Sequence, residues 1–193
     1  TITVTPLPIV SITGATTICA DGTTQLSPTT GGTWVSSDTD VATVNATTGL
    51  VTAVSDGTAT FTFTNTTTNC VATTSVVTIN TLPNIPVSGG DKNYCAGETI
   101  PTLAVFIDNL ISVNWYSLAS GGDLLASNTN NYAPTASGTY YAEAVNSSTG
   151  CISASRTAVT LTKYNAPTML PQTQTICSGA TAAEITIATA ATW

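Results

Sequence analysis

Between Thr58 and Thr64 the chain alternates without a break. Ala59, Phe61 and Phe63 take one parity, and Thr58, Thr60, Thr62 and Thr64 take the other. A period of two belongs to a β-strand with one buried and one solvated face. Threonine suits the solvated face because its branched Cβ favours extended backbone while its hydroxyl is hydrated. Shorter runs, such as Val77-Thr78-Ile79-Asn80 and Val159-Thr160-Leu161-Thr162, are set between turn formers at Asp21-Gly22, Gly31-Gly32, Thr48-Gly49, Asp56-Gly57, Gly121-Gly122 and Ser137-Gly138. No stretch carries the 3.6-residue period of an amphipathic helix. The pattern predicts an all-β chain of many short strands.

The same landmarks recur. Cys19, Trp34 and Cys70 return as Cys95, Trp115 and Cys151, and in both sets 36 residues separate the tryptophan from the second cysteine. A Gly-Thr pair falls 23 residues after each tryptophan, at Gly57-Thr58 and Gly138-Thr139. The first interval differs, 15 residues against 20, which reads as a loop insertion in the second copy. A third copy starts at Ile176-Cys177-Ser178-Gly179, and Thr1 to Thr5 reads like the closing strand of a copy before the first. The expected organisation is a closing strand at 1–5, one domain at 6–81, a second at 82–164, and the start of another repeat at 165–193. Prolines in Leu82-Pro83-Asn84-Ile85-Pro86 and Asn165-Ala166-Pro167 end the preceding strands and make short, semi-rigid joints. A Cys…Trp…Cys frame with six to eight short strands in about 80 residues is the pattern of a tandem Ig-like β-sandwich, repeated as beads on a string.

Trp34-Val35-Ser36-Ser37-Asp38, Val41-Ala42-Thr43-Val44, Thr48-Gly49-Leu50-Val51-Thr52-Ala53-Val54 and Gly57-Thr58-Ala59-Thr60-Phe61 together resemble a bacterial Ig-like domain of group 2. The second copy lacks the middle two segments. Through Tyr94-Cys95-Ala96-Gly97, Asn114-Trp115-Tyr116, Ser137-Gly138-Thr139-Tyr140-Tyr141 and Gly150-Cys151 it is similar to Ig-like modules strung together in giant surface proteins of Bacteroidota. That resemblance implies a setting in cell-surface adhesins, the gliding type among them, exported by the type IX secretion route.

Composition narrows the functions. Ten acidic residues against three basic ones give a net charge of −7, and there is no histidine. Lys92, Arg156 and Lys163 cannot form the basic footprint that nucleic acid requires. Histidine-dependent acid–base catalysis, Ser-His-Asp triads and His-ligated metals are excluded by count. Forty-three threonines dominate, yet a hydrophobic content of 42% argues against disorder. No apolar run reaches the roughly 18 residues of a membrane span, so membrane insertion is not expected. The absence of an initiator Met and of a signal-like start at Thr1 implies a mature chain or a piece of a longer one.

Five cysteines in such a chain imply an oxidising, extracellular setting. Four of them allow three pairings, and the repeat selects Cys19–Cys70 with Cys95–Cys151, one bridge inside each copy. Each would close a loop of about 50 residues, contributing about 4 kcal/mol in the chain-entropy model. Cys177 is left unpaired, its partner expected beyond Trp193.

The remaining candidates each have a plain structural account. Trp34 and Trp115 are expected in the cores beside the bridges, with Phe61, Phe63 and Tyr140. Tyr141 should point outward, leaving Tyr116, Tyr132 and Tyr141 as aromatic contact points for a ligand. Asp38 and Asp40 could share a strand face as calcium ligands, but no third acid is near them in sequence, and capping a strand and solvating a turn explains them. The Thr-x-Thr rows are similar to flat ice-binding surfaces, although sandwich sheets twist and solvated-face preference explains the same residues. Asn45, Asn65 and Asn146 begin glycosylation sequons.

The function this implies is a non-catalytic structural repeat segment of a large secreted adhesin or extracellular filament. It would have no cofactor, and its partners would be neighbouring copies or continuing repeats that complete the partial sandwiches at both ends. The alternatives are a module that binds a glycan, ice or a host protein, and a spacer of an extracellular hydrolase.

Overall fold

The computed structural model describes residues 4–108 and 111–165. The expected third repeat at 165–193, with Cys177, lies outside them save for Asn165. Every regular element among the described residues is a β-strand. Two hydrophobic clusters form, one within residues 26–79 and one within 94–161, and each centres on a tryptophan.

In the first sandwich, β1 (Ser11–Ile12), β3 (Thr23–Ser27), β6 (Leu50–Ala53) and β5 (Ala42–Val44) make one sheet, in the order β1-β3-β6-β5. Two further three-stranded sheets complete the sandwich, β2 (Thr17–Cys19), β10 (Val77–Asn80) and β7 (Gly57–Ala59) in the order β2-β10-β7, and β4 (Gly32–Ser36), β8 (Phe61–Asn65) and β9 (Val71–Thr73) in the order β4-β8-β9. Only Thr60 separates β7 from β8, so the alternating threonine run crosses both groups. There the Thr60 amide leaves the ladder to bond Ser37 Oγ at 2.9 Å, and the Phe61 amide bonds Thr74 Oγ1 at 3.2 Å. Ala59, Phe61 and Phe63 are buried along this run.

The second sandwich repeats the plan. β11 (Val87–Ser88), β13 (Leu103–Phe106) and β16 (Asn131–Tyr132) form one sheet. β12 (Lys92–Cys95), β18 (Thr157–Tyr164), β17 (Gly138–Asn146), β14 (Ile111–Tyr116) and β15 (Leu124–Ala126) form the other. The copies differ where their sequences differ. In the first, the Val41–Val44 and Leu50–Ala53 segments pair as the β5–β6 hairpin. In the second, which lacks those segments, β15 pairs with β14 in the opposite sheet.

Strand direction fixes the poles of each sandwich. β2 runs parallel to β10, with Cys19 level with Asn80, so both end where the chain leaves for the second sandwich. β7 and β8 run the other way, which carries Asn65 and the turn after it to the far pole. β12 likewise runs parallel to β18, with Cys95 level with Tyr164, while β17 runs antiparallel and ends at Asn146 on the near pole.

The expected pairing of cysteines is therefore corrected. The bridge joins Cys19 to Cys151 across the two sandwiches, with an S–S distance of 2.02 Å and Cα atoms 5.7 Å apart, while Cys70 and Cys95 are free thiols. From the level of Cys19 to Asn65 the β7–β8 chain rises nine residues, or about 30 Å at strand spacing. Bridged Cα atoms cannot be more than about 7 Å apart, so Cys19 and Cys70 cannot meet within one domain. The same parity separates Cys95 from Cys151.

Candidate functional site: the joint between the sandwiches

Each cysteine is presented by local backbone chemistry that the sequence writes twice. Cys151 follows the turn Asn146-Ser147-Ser148-Thr149-Gly150. Asn146 Oδ1 accepts the Ser148 and Thr149 amides at 3.0 and 3.3 Å, and the Cys151 amide bonds Thr149 Oγ1 at 3.3 Å. Asn65 does the same for Thr67 and Thr68 at 2.9 and 3.0 Å, and the Cys70 amide bonds Thr68 Oγ1 at 3.3 Å. Asn45 builds a third such turn, accepting Thr47 and Thr48 at 3.1 and 2.9 Å ahead of Leu50. All three sequons therefore coincide with one turn, whose fifth residue has a positive φ: Gly49, Asn69 or Gly150.

Polar contacts hold the segment that enters the second sandwich. Thr157 Oγ1 donates to the Pro86 carbonyl, and Asn84 Nδ2 donates to Asp108 Oδ2 at 3.1 Å. A groove of roughly 370 Å³ runs beside these residues, lined by Asn84, Ile85, Val87, Phe106, Ile107 and Asp108. Cys151 is buried, and the disulfide belongs to neither core cluster.

The tryptophans thus pack away from the bridge. Trp34 tilts against Phe63 with centroids 5.0 Å apart and donates its Nε1–H to the Pro28 carbonyl at 2.8 Å. Trp115 stacks on Tyr132 at 5.6 Å and donates to the Thr129 carbonyl at 3.0 Å. Tyr140 meets Tyr132 at 5.0 Å, its hydroxyl donating to the Ala136 carbonyl at 2.8 Å. Burial first, and the neighbouring Tyr140 second, raise the Tyr132 hydroxyl above its ordinary pKa.

Sequence reading missed Arg156. Its Nε lies 3.0 Å from Glu143 Oε1, its Nη1 bonds the Leu118 and Gly121 carbonyls at 2.8 and 2.6 Å, and its guanidinium sits 3.5 Å over the Tyr116 ring. One side chain fastens the Ser117–Asp123 loop to β17 and covers Tyr116. The signal was its scarcity, as the single arginine of the chain. Asp38 and Asp40 sit in a turn, not on a strand, and Asp38 Oδ1 accepts the Asp40 amide at 3.0 Å. Among the described residues no group of three or more His, Cys, Asp or Glu side chains is placed to hold a metal, and no helix is long and apolar enough to cross a membrane.

These features define tandem immunoglobulin-like β-sandwiches joined by a covalent bridge. Residues 1–76 match the model of the bacterial Ig-like domain (group 2), and residues 83–163 match that of the Ig-like domain, CHU_C associated, so the two sandwiches match two different Ig-like models. No protein of curated function shows significant similarity to the chain. Solved structures similar to it include domains 4 and 5 of the S-layer protein SbsC, at 16% identity and a TM-score of 0.37, covering 82% of this chain and 100% of that one. Three N-terminal domains of the outer capsid protein Hoc of bacteriophage RB49 give 18% identity and a TM-score of 0.33, covering 79% and 58%. Immunoglobulin domains 1–4 of Sidekick-1 give 16% and 0.31, covering 77% of this chain. The chain spans about half the length of that Sidekick-1 structure.

Proposed function

We propose that the chain is a non-catalytic structural segment of a large secreted bacterial cell-surface adhesin or extracellular filament, in which Ig-like repeats hold a binding end away from the cell. The observation that carries this reading is the Cys19–Cys151 bridge, which locks the joint between two separate cores. A bridge inside a domain would serve stability alone, whereas one across a joint restricts bending and transmits tension. The bridge and both bacterial Ig-like families favour an extracellular or surface setting. A surface of threonine hydroxyls and net negative charge keeps such a rod soluble and resists nonspecific adhesion. The resemblance to Bacteroidota modules makes type IX secretion the expected route.

The binding-module alternative loses support from the tyrosines. Tyr116 lies under Arg156 and Tyr132 lies between Trp115 and Tyr140, which leaves Tyr141 of the three. Electron microscopy of the native protein, with intact mass under non-reducing conditions, tests the proposal. Long beaded fibres and a mass far above 19.5 kDa are expected. A compact monomer near that mass would overturn it.

A further inference from the structure

The observed bridge joins two unlike cysteines, and each has a counterpart with a free thiol. Cys19 and Cys95 form one kind. Each ends a strand parallel to the closing strand of its own sandwich, level with Asn80 in one case and Tyr164 in the other. The next residue's amide bonds that partner's carbonyl, Ala20 to Asn80 at 2.9 Å and Ala96 to Tyr164 at 2.8 Å. The carbonyls of Cys19 and Cys95 accept the amides of Gly22 and Glu98 at 2.9 and 3.0 Å, around residues of positive φ at Asp21 and Gly97. Cys70 and Cys151 form the other kind, each held by the asparagine turn, with their carbonyls accepting the Asn65 and Asn146 amides at 2.9 Å in both cases. Cys70 therefore occupies on the first sandwich the pole position that Cys151 occupies on the second. Cys95 occupies on the second the position that Cys19 occupies on the first.

A separate contact points the same way. Setting Leu7-Pro8 against Leu82-Pro83 places Thr5 at the position of Asn80, the residue level with Cys19 at the closed joint. Thr5 Oγ1 lies 3.3 Å from Cys70 Sγ. The residue that aligns with the end of a closing strand is thus beside the free thiol.

We propose that Cys70 and Cys95 are open halves of the same cross-link, and that each bonds a cysteine of an adjoining Ig-like repeat. Cys70 takes one at the Cys19 position of the repeat before it, and Cys95 takes one at the Cys151 position of the repeat after it. Every joint of the array is then stapled, and no staple lies inside a domain. The chemistry is exchange with a disulfide oxidant such as oxidised glutathione. One thiolate attacks the oxidant and releases its first thiol, then the second thiolate displaces the remaining half. One S–S bond forms, one is broken, and the oxidant leaves as two thiols.

The inference rests on the reading that repeats continue on both sides, so the test supplies the neighbour directly. Residues 6–193, with Cys177→Ser, are preceded by a copy of residues 1–164 whose Tyr164 is joined to Pro6. This junction keeps the register in which Tyr164 corresponds to Asn80. After refolding in a glutathione redox buffer, non-reducing digestion and mass spectrometry should find Cys95 of the first copy bonded to Cys70 of the second, beside Cys19–Cys151 in each. Cys95→Ser in the first copy should leave that Cys70 open to alkylation and keep both Cys19–Cys151 bridges. The inference is overturned if Cys19–Cys151 forms in both copies while the junction thiols stay fully alkylatable, or if they pair with other cysteines. Either result concerns the cross-link alone, whereas a native protein without flanking repeats would remove the array reading.

Discussion

Replacing Cys19 by serine should destabilise the domain that does not contain it. When the second sandwich unfolds with the first intact, Cys151 remains tied to Cys19, which is level with Asn80 at the pole where the chain departs. The loop left closed is the unfolded chain from Asn80 to Cys151, about 70 residues, and not the full sequence separation of 132. Unfolding the first sandwich alone closes a loop of similar size, from Cys19 to the start of β11. In the chain-entropy model either loop costs the unfolded state about 4 kcal/mol. Ordering the joint in the native state offsets part of this, so about 2–4 kcal/mol is expected for each domain. At 4–8 °C per kcal/mol for a domain of this size, both melting temperatures should fall by roughly 10–30 °C. Hydrogen exchange read separately on Phe61–Asn65 and Gly138–Asn146 gives the two stabilities independently. Cys19→Ser should lower protection in both strands, and Cys70→Ser and Cys95→Ser in neither. If Cys19→Ser affected only Phe61–Asn65 and Cys70→Ser reproduced it, the bridge would lie within the first domain and the reasoning would fail.

Arg156→Ala leaves the buried Glu143 carboxylate unpaired and frees the Ser117–Asp123 loop, so urea denaturation should show the second sandwich losing about 3–5 kcal/mol. A loss below about 1 kcal/mol would class the pair with exposed ion pairs instead. Tyr132 has a folded pKa above its unfolded value, so its contribution is complete below the unfolded pKa of about 10 and is lost as pH rises through the folded one. Alkaline titration should therefore destabilise the second sandwich selectively, and Tyr132→Phe should weaken that dependence; an unchanged alkaline transition would contradict the assignment. Gly49→Ala places a Cβ 2.9 Å from Trp34 Nε1 at a φ of +70°, so the first sandwich should lose about 1–3 kcal/mol by thermal unfolding while the second is unaffected. A neutral result would mean that the turn relaxes freely.

Much of the architecture could be read from one-dimensional pattern. Alternation from Thr58 to Thr64 sets the faces of β7 and β8 because successive side chains on extended backbone must oppose. The recurrence of Cys, Trp and Gly-Thr at matched offsets marks two copies of one plan, and the missing segments of the second copy fall where β15 changes sheets. Arg156 and the asparagine turns escaped notice because their meaning lies in contacts with residues distant in sequence or with bare backbone amides, neither of which leaves a period. The cysteines divide the two kinds of information most sharply. Sequence alone made Cys19 equivalent to Cys95 and Cys70 equivalent to Cys151, but a bridge within each repeat and a bridge from each repeat to the next satisfy that equivalence equally. Only strand direction separates them. Parallel pairing of β2 with β10 puts Cys19 at the leaving pole, and the antiparallel course of β17 puts Cys151 at the entering pole of the next sandwich. A covalent bond needs its two sulfurs in contact, and only the tertiary structure decides which poles touch.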